Sequence, residues 1–249
     1  MLADGSHVEA VADLTGGGAH AVPDFVAEQG AENDAFAMTW PTGSCFVIGY
    51  GGTLEIPTIF SAARSRRYRT AAFFSKAKFS HLQVPGSLDY SQSPGGWFGR
   101  WSSASTLNDV EKHLGSAKPN LLFVHLTDPD AAGHAHGWMS REYGRGVLRA
   151  DAALARLLRA ADQAYGVGEY TVIVTADHGG NGRDHGSDHI HDVTIPWIAW
   201  GRGVQPGEII SPKVTTMDTA STVLFLLGLD EPTSWAGVPI RAAFTLTVD

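Results

Sequence analysis

The sequence predicts an α/β protein with a mostly parallel central sheet and helices on both faces. Two observations carry that prediction. Short apolar runs of strand character alternate with stretches whose apolar residues recur at helical spacing. Two runs rich in aspartate and histidine, TDPDAAGHAHG (127–137) and TADHGGNGRDHG (175–186), each directly follow an apolar run. In open parallel sheets ligands lie beyond the carboxyl ends of the strands, which is where both polar runs fall.

In chain order, 57–66 reads as a helix and 69–74 (RTAAFF) as a buried strand. Residues 83–104 are rich in Gly, Pro and Ser and carry Trp97, Phe98 and Trp101. They read as an irregular loop anchored by aromatics, or as a lid or substrate wall. A helix is expected at 105–114 and a strand at 120–126 (NLLFVHL). In 140–164, Val147, Leu148, Asp151, Leu154, Ala155 and Leu158 fall on one side at helical spacing, which predicts an amphipathic helix packed through that side. Strands at 170–175 (YTVIVT) and 194–200 (TIPWIAW) and a helix at 218–227 complete the frame. No repeat or interdomain linker interrupts it, so 1–249 is expected to form a single domain.

At about 150 residues per domain, a chain of 249 residues is one large domain or two small ones, and it needs no staples to hold its core. A net charge of −8 argues against a nucleic-acid duplex as partner. It leaves a small phosphate ester open, because bound cations reverse a local field. The lone Cys45 excludes an internal disulfide framework and a multi-thiolate zinc site, so any metal must be held by imidazole and carboxylate. The sequence shows neither a membrane span nor a secretory leader, which makes the cytoplasm the default expectation. It carries no signal for oligomeric state.

The chemistry concentrates in five residues: Asp130, His134, Asp177, His178 and His185. Asp130 and His134 are four apart, so one helical turn or a tight loop can aim both at one ion. Asp177 and His178 are adjacent, and a turn at Gly179-Gly180 can bring both to one side. His185 sits in a glycine-rich loop that can fold back. Carboxylate and imidazole donors suit zinc first, with manganese or iron as alternatives. Either run alone is a common pattern; together, both at strand ends, they point to a divalent metal site. Asp184, Asp188, His189, His191 and Asp192 lie near enough to support the ligands or to be solvated loop residues.

At these residues the chain resembles the alkaline phosphatase superfamily, and within it the type I phosphodiesterase/nucleotide pyrophosphatase family. The D-x-x-G-H run (Asp130, His134), the D-H-G run (Asp177, His178) and His185 carry the resemblance. The tail 217–240 adds an Asp opening an apolar helix, followed by G-L, Pro and G-x-P. The resemblance implies an alkaline phosphatase-like fold and two divalent ions, one on Asp130, His134 and His185, the other on Asp177, His178 and an early aspartate. LADG (2–5) offers Asp4 for that early ligand. TWPTGS (39–44) resembles the family's nucleophile run, which implies Ser44 as nucleophile with Thr42 as the alternative.

The implied activity is metal-dependent hydrolysis of phosphate esters of phosphodiesterase type, through a covalent intermediate on the hydroxyl nucleophile. The chain departs from the family after Ser44, where CFVIGYGGT (45–53) runs almost at once into the next helix. That implies a fold shortened near the N-terminus. Two further readings therefore stand beside the hydrolase: a non-catalytic metal-binding relative, and a phosphomonoesterase, phosphonate hydrolase or mutase on the same scaffold. The sulfatase branch is disfavoured, because Cys45 is not followed by x-P-x-R.

Overall fold

A computed structural model describes residues 56–96, 99–210 and 214–245, with 80 and 81 by backbone alone, and the backbone of four strand segments upstream. Those segments are β1 (Val11–Ala12), β2 (Asp24–Val26), β3 (Ala35–Thr39) and β4 (Cys45–Gly49). There follow α1 (Ile59–Ser65), β5 (Thr70–Phe73), a 3₁₀ turn (Ala77–Leu82), β6 (Tyr90–Gln92) and α2 (Ser103–Leu114). Next come β7 (Leu121–Val124), α3 (Asp128–His136), α4 (Arg141–Tyr165) and β8 (Thr171–Thr175). The chain continues through α5 (Ile190–Val193), β9 (Trp197–Gly201), β10 (Ile209–Ile210), α6 (Thr216–Leu226) and a 3₁₀ turn (Arg241–Ala243).

The fold is α/β, and its parallel part is the three-stranded sheet β6-β5-β7. β5 has a neighbour on each side and is buried along its whole length, from Thr70 to Phe73. β8 belongs to a second, mixed sheet of order β10-β1-β9-β8, in which β8 and β9 run antiparallel. The four-residue α5 provides no crossover helix between them, and an antiparallel partner needs none. β2, β3 and β4 form an antiparallel meander.

The expected elements are present with boundary shifts of up to three residues, and besides the antiparallel pairing of β8 and β9 two features differ. Within the expected loop 83–104, Tyr90–Gln92 forms a strand parallel to β5. α4 also packs through another side than expected. Val147 and Leu148 are exposed, at 42% and 68%, whereas the buried residues are Gly146, Ala153, Ala160, Ala161 and Ala164. The reason is closeness. A Cβ on Gly146 would stand 2.8 Å from the Asp128 carbonyl oxygen and 3.1 Å from the Ala132 methyl, so α3 and α4 meet backbone to backbone. Small side chains, not large ones, let α4 approach α3 and α2.

Ser140 and Ser102 start α4 and α2 by accepting from the Tyr143 and Ser105 backbone N–H groups, at 3.1 and 3.2 Å. Asp218 fastens the tail. Its Oδ2 accepts from the Thr215 N–H at 2.7 Å, and its Oδ1 from the Val238 N–H at 2.7 Å. No helix among the described residues is long and apolar enough to cross a membrane.

Candidate metal centre

The site is assembled from three strand ends. β7 leads into α3, whose first turn holds Asp128 and Asp130. Asp128 anchors the helix: one oxygen accepts from the Ser103 N–H and the other from Arg149 Nε, both at 2.6 Å. Burial pushes the Asp128 carboxyl up, but the bonds from Ser103 and Arg149 outweigh it and hold it below the usual range. With α3 fixed this way, Asp130 projects toward the end of β5. There Lys76 donates to Asp130 Oδ2 at 2.6 Å, and both side chains are largely buried, 16% and 17% exposed. Burial raises the Asp130 pKa, yet the Lys76 hydrogen bond and charge, with His134 and His178, bring it below the ordinary value.

The other arm is the loop after β8. The Gly179 and Gly180 N–H groups donate to the carbonyls of Asp192 and His191, at 2.7 and 2.8 Å, which turns the chain back beneath α5. A Cβ on Gly179 would collide with the His191 carbonyl, so that turn requires glycine. Asp192 is buried and accepts from the Ser187 N–H and hydroxyl, at 2.9 and 2.7 Å, closing the loop at its far end.

The two arms meet at Asp130, His178 and His185. One ligand atom from each lies within 4.8 Å of the others. The His178 and His185 rings stack at 3.6 Å, and the His134 ring lies 5.0 Å from His185. His134 Nε2 is 3.5 Å and His178 Nε2 3.7 Å from Asp130 Oδ1. The opposite ring nitrogens are tied to carbonyls: His134 Nδ1–H donates to Arg183 O at 3.0 Å, and His178 Nδ1–H to Gly179 O at 2.7 Å. Both imidazoles therefore present Nε2 inward, as carbonyl-tethered metal-ligating histidines do. Asp130 Oδ1 and His178 Nε2 are buried with no hydrogen-bond partner. Two orphaned acceptors aimed at one point are costly unless a cation sits between them, so the donor set fits a divalent metal. Burial, then the neighbouring His178 and His134, lower the His185 pKa, against the pull of Asp130 and Asp184.

Asp177 lies beside this cluster rather than in it. Its Oδ2 is 3.6 Å from His178 Nε2, but its side chain is 55% exposed. Asp130, His178 and His185 thus come together across the division into two ion sites implied by the resemblance, with His134 at the edge and Asp177 toward solvent. Asp4, Thr42 and Ser44 lie outside the described residues.

Three participants were not legible as site residues. Lys76 and Lys78 follow β5 in the run SKAK, at the same strand end as the ligands, and that placement was the available signal. Burial and the Lys76 charge lower the Lys78 pKa, against the pull of Asp177 and Asp130. The third is Trp138. Its ring contacts those of His134, His178 and His185, at centroid distances of 5.1, 6.3 and 5.9 Å. It is wedged between the two arms: a Cβ on Gly133 would stand 2.7 Å from the ring, and one on Gly180 would collide with it. The Trp138 backbone N–H donates to Gly182 O at 2.7 Å.

Comparison with known proteins gives the family and the fold. The model of the type I phosphodiesterase/nucleotide pyrophosphatase family matches residues 22–215, and the chain belongs to that family. GPI ethanolamine phosphate transferase 1 of Emericella nidulans is 27% identical over 141 residues, 47% of this chain and 15% of that protein. Phosphopentomutase of Symbiobacterium thermophilum is 28% identical over 130 residues, 52% of this chain and 31% of that protein. The chain thus spans less than a third of the length of either curated relative. Murine ectonucleotide pyrophosphatase/phosphodiesterase 5, solved with AMP, superposes with a TM-score of 0.57 at 12% identity, over 75% of this chain and 74% of that one. That likeness shows the alkaline phosphatase-type fold.

Proposed function

We propose that the protein is a metal-dependent enzyme that cleaves phosphate esters, with small phosphodiesters as the first substrate class. The observation that carries the reading is the pair of orphaned donors, Asp130 Oδ1 and His178 Nε2, buried at the meeting point of two loops whose other ring nitrogens are tethered. Asp130, His178, His185 and His134 would hold the ion. When bound, a divalent ion supplies Lewis-acid stabilisation of charge on phosphoryl oxygens. Zinc is the first choice for this donor set, and a second ion beside it on Asp177 and Asp4 extends the proposal.

The chain's own residues do the rest. Lys76 and Lys78 place positive charge at the strand end where an anionic phosphoryl group would lie, against the overall charge of −8. Trp138 keeps the two ligand arms at a fixed separation. Ser44 is proposed as the nucleophile, with Thr42 as the alternative.

The test is turnover of bis(p-nitrophenyl) phosphate by the full chain with added zinc or manganese. Asp130→Ala is expected to lower the rate by about 10²-fold or more, since a lost ion forfeits several kcal/mol of transition-state stabilisation. Equal rates in both proteins would remove the proposal.

A second reading has specific support. The curated relatives above are named as a transferase and a mutase, so the acceptor of the phosphoryl group can be an alcohol instead of water. Adding a simple alcohol or a pentose to the assay and following its mixed nitrophenyl phosphodiester, formed in place of nitrophenyl phosphate as one nitrophenolate leaves, separates the two.

A further inference from the structure

We infer that Lys76 locks Asp130 into one-oxygen coordination of the metal and sets a lysine ammonium beside it. The inference rests on the metal reading above and goes beyond it, because it assigns the two oxygens of one carboxylate to different cations.

The geometry divides the carboxylate. Oδ2 is taken by the Lys76 ammonium at 2.6 Å, while Oδ1 faces His134 Nε2 and His178 Nε2 at 3.5 and 3.7 Å and has no hydrogen bond. A free aspartate can chelate an ion through both oxygens. Here rotation to do so would strip the ammonium of its carboxylate in a site where both side chains are largely buried.

Lys76 is itself held in place by the backbone. It bridges to Arg100, the Ala77 N–H donates to Gly99 O at 2.9 Å, and the Trp101 N–H donates to Ser75 O at 2.9 Å. With its backbone clamped on either side, the Lys76 side chain reaches Asp130 in the first turn of α3. The ammonium therefore acts as a positioning group. It spares one coordination position that a second Asp130 oxygen would otherwise fill, and it weakens the pull of Asp130 on the ion.

The test titrates Co(II) into metal-stripped full chain and reads affinity and visible absorption, with thermal melting as a check on folding. In Lys76→Met, the second oxygen becomes available. The expected result is a weaker, shifted absorption as the coordination number rises, and binding about tenfold tighter as the competing charge is lost. Lys76→Gln, neutral but still able to hydrogen-bond, reads the same gain in affinity should the Met variant not fold. Lys76→Arg keeps charge and donor and is expected to retain the wild-type spectrum.

Wild-type spectrum and affinity in a folded neutral variant would overturn the inference while leaving the metal site standing. No Co(II) binding by the wild-type chain would overturn the metal reading and this inference with it.

Discussion

His125 is an imidazole that the chain keeps neutral. It is mostly buried at the end of β7, with Nδ1 2.7 Å from the Ser75 hydroxyl and its ring 4.4 Å from that of Phe79. Burial is the main cause that pulls its pKa from 6.5 to about 4. The unfolded chain therefore takes up the proton first. The contribution is fully present above pH 6.5 and is lost as pH falls through 4, on the order of 3 kcal/mol in all. Urea unfolding of wild type and His125→Gln from pH 7.5 to 4.5 is expected to show a flatter dependence in the variant; parallel curves would contradict the assignment. Residue chemistry in this chain is unevenly legible. Asp130, His178 and His185 announce themselves through residue type and position after strands. Lys76 does not, because a lysine after a strand is an ordinary solvated residue until the fold sets a buried carboxylate 2.6 Å away. Asp177 reads as a ligand equal to His178; its carboxylate lies 3.6 Å from His178 Nε2 but is far more exposed, 55% against 20%.

α4 carries the lesson at the scale of elements. Its hydrophobic periodicity correctly gives a helix over 140–164, but points the wrong side inward. Large apolar residues are the ordinary sign of a packed side. Here Gly146 sets the contact with α3, which aims Asp130, and Ala153, Ala160 and Ala164 pack on the side of α2 and β5. Gly146→Val is therefore expected to destabilise the protein by about 1–3 kcal/mol, since a branched side chain must push the helices apart. Leu148→Ala, at an exposed position, is expected to stay within about 0.5 kcal/mol. Denaturant midpoints of the two variants test the pair, and the reverse order would restore the sequence-derived packing. Arg156 belongs to the same contact: its guanidinium grips both oxygens of Glu111 on α2, at 2.8 and 2.7 Å. Such long-range pairs are set by the helix crossing and leave no mark in local spacing.

For the molecule as a whole, the class and the order of elements were legible and the partition of the strands was not. The α/β alternation predicts a parallel sheet, and β6-β5-β7 supplies one. β9 turns back on β8 instead, because a glycine-rich loop and four helical residues replace the crossover helix. That same loop delivers His178 and His185, so the departure from regular topology and the formation of the site share one cause. Metal that binds the folded chain alone should stabilise it by about 2.7 kcal/mol at a hundredfold excess over Kd. For a protein of this size, that corresponds to a melting temperature roughly 5–10 °C lower after chelation at pH 7. An identical melting curve with and without chelator would speak against a metal joining the two arms. Trp138 gives this coupling its mechanical form. One indole is seated against Gly133 on one arm and Gly180 on the other, like the keystone of a small arch. Chemical damage to that single ring would unseat both abutments at once, and the span they carry would fall as a unit rather than by halves.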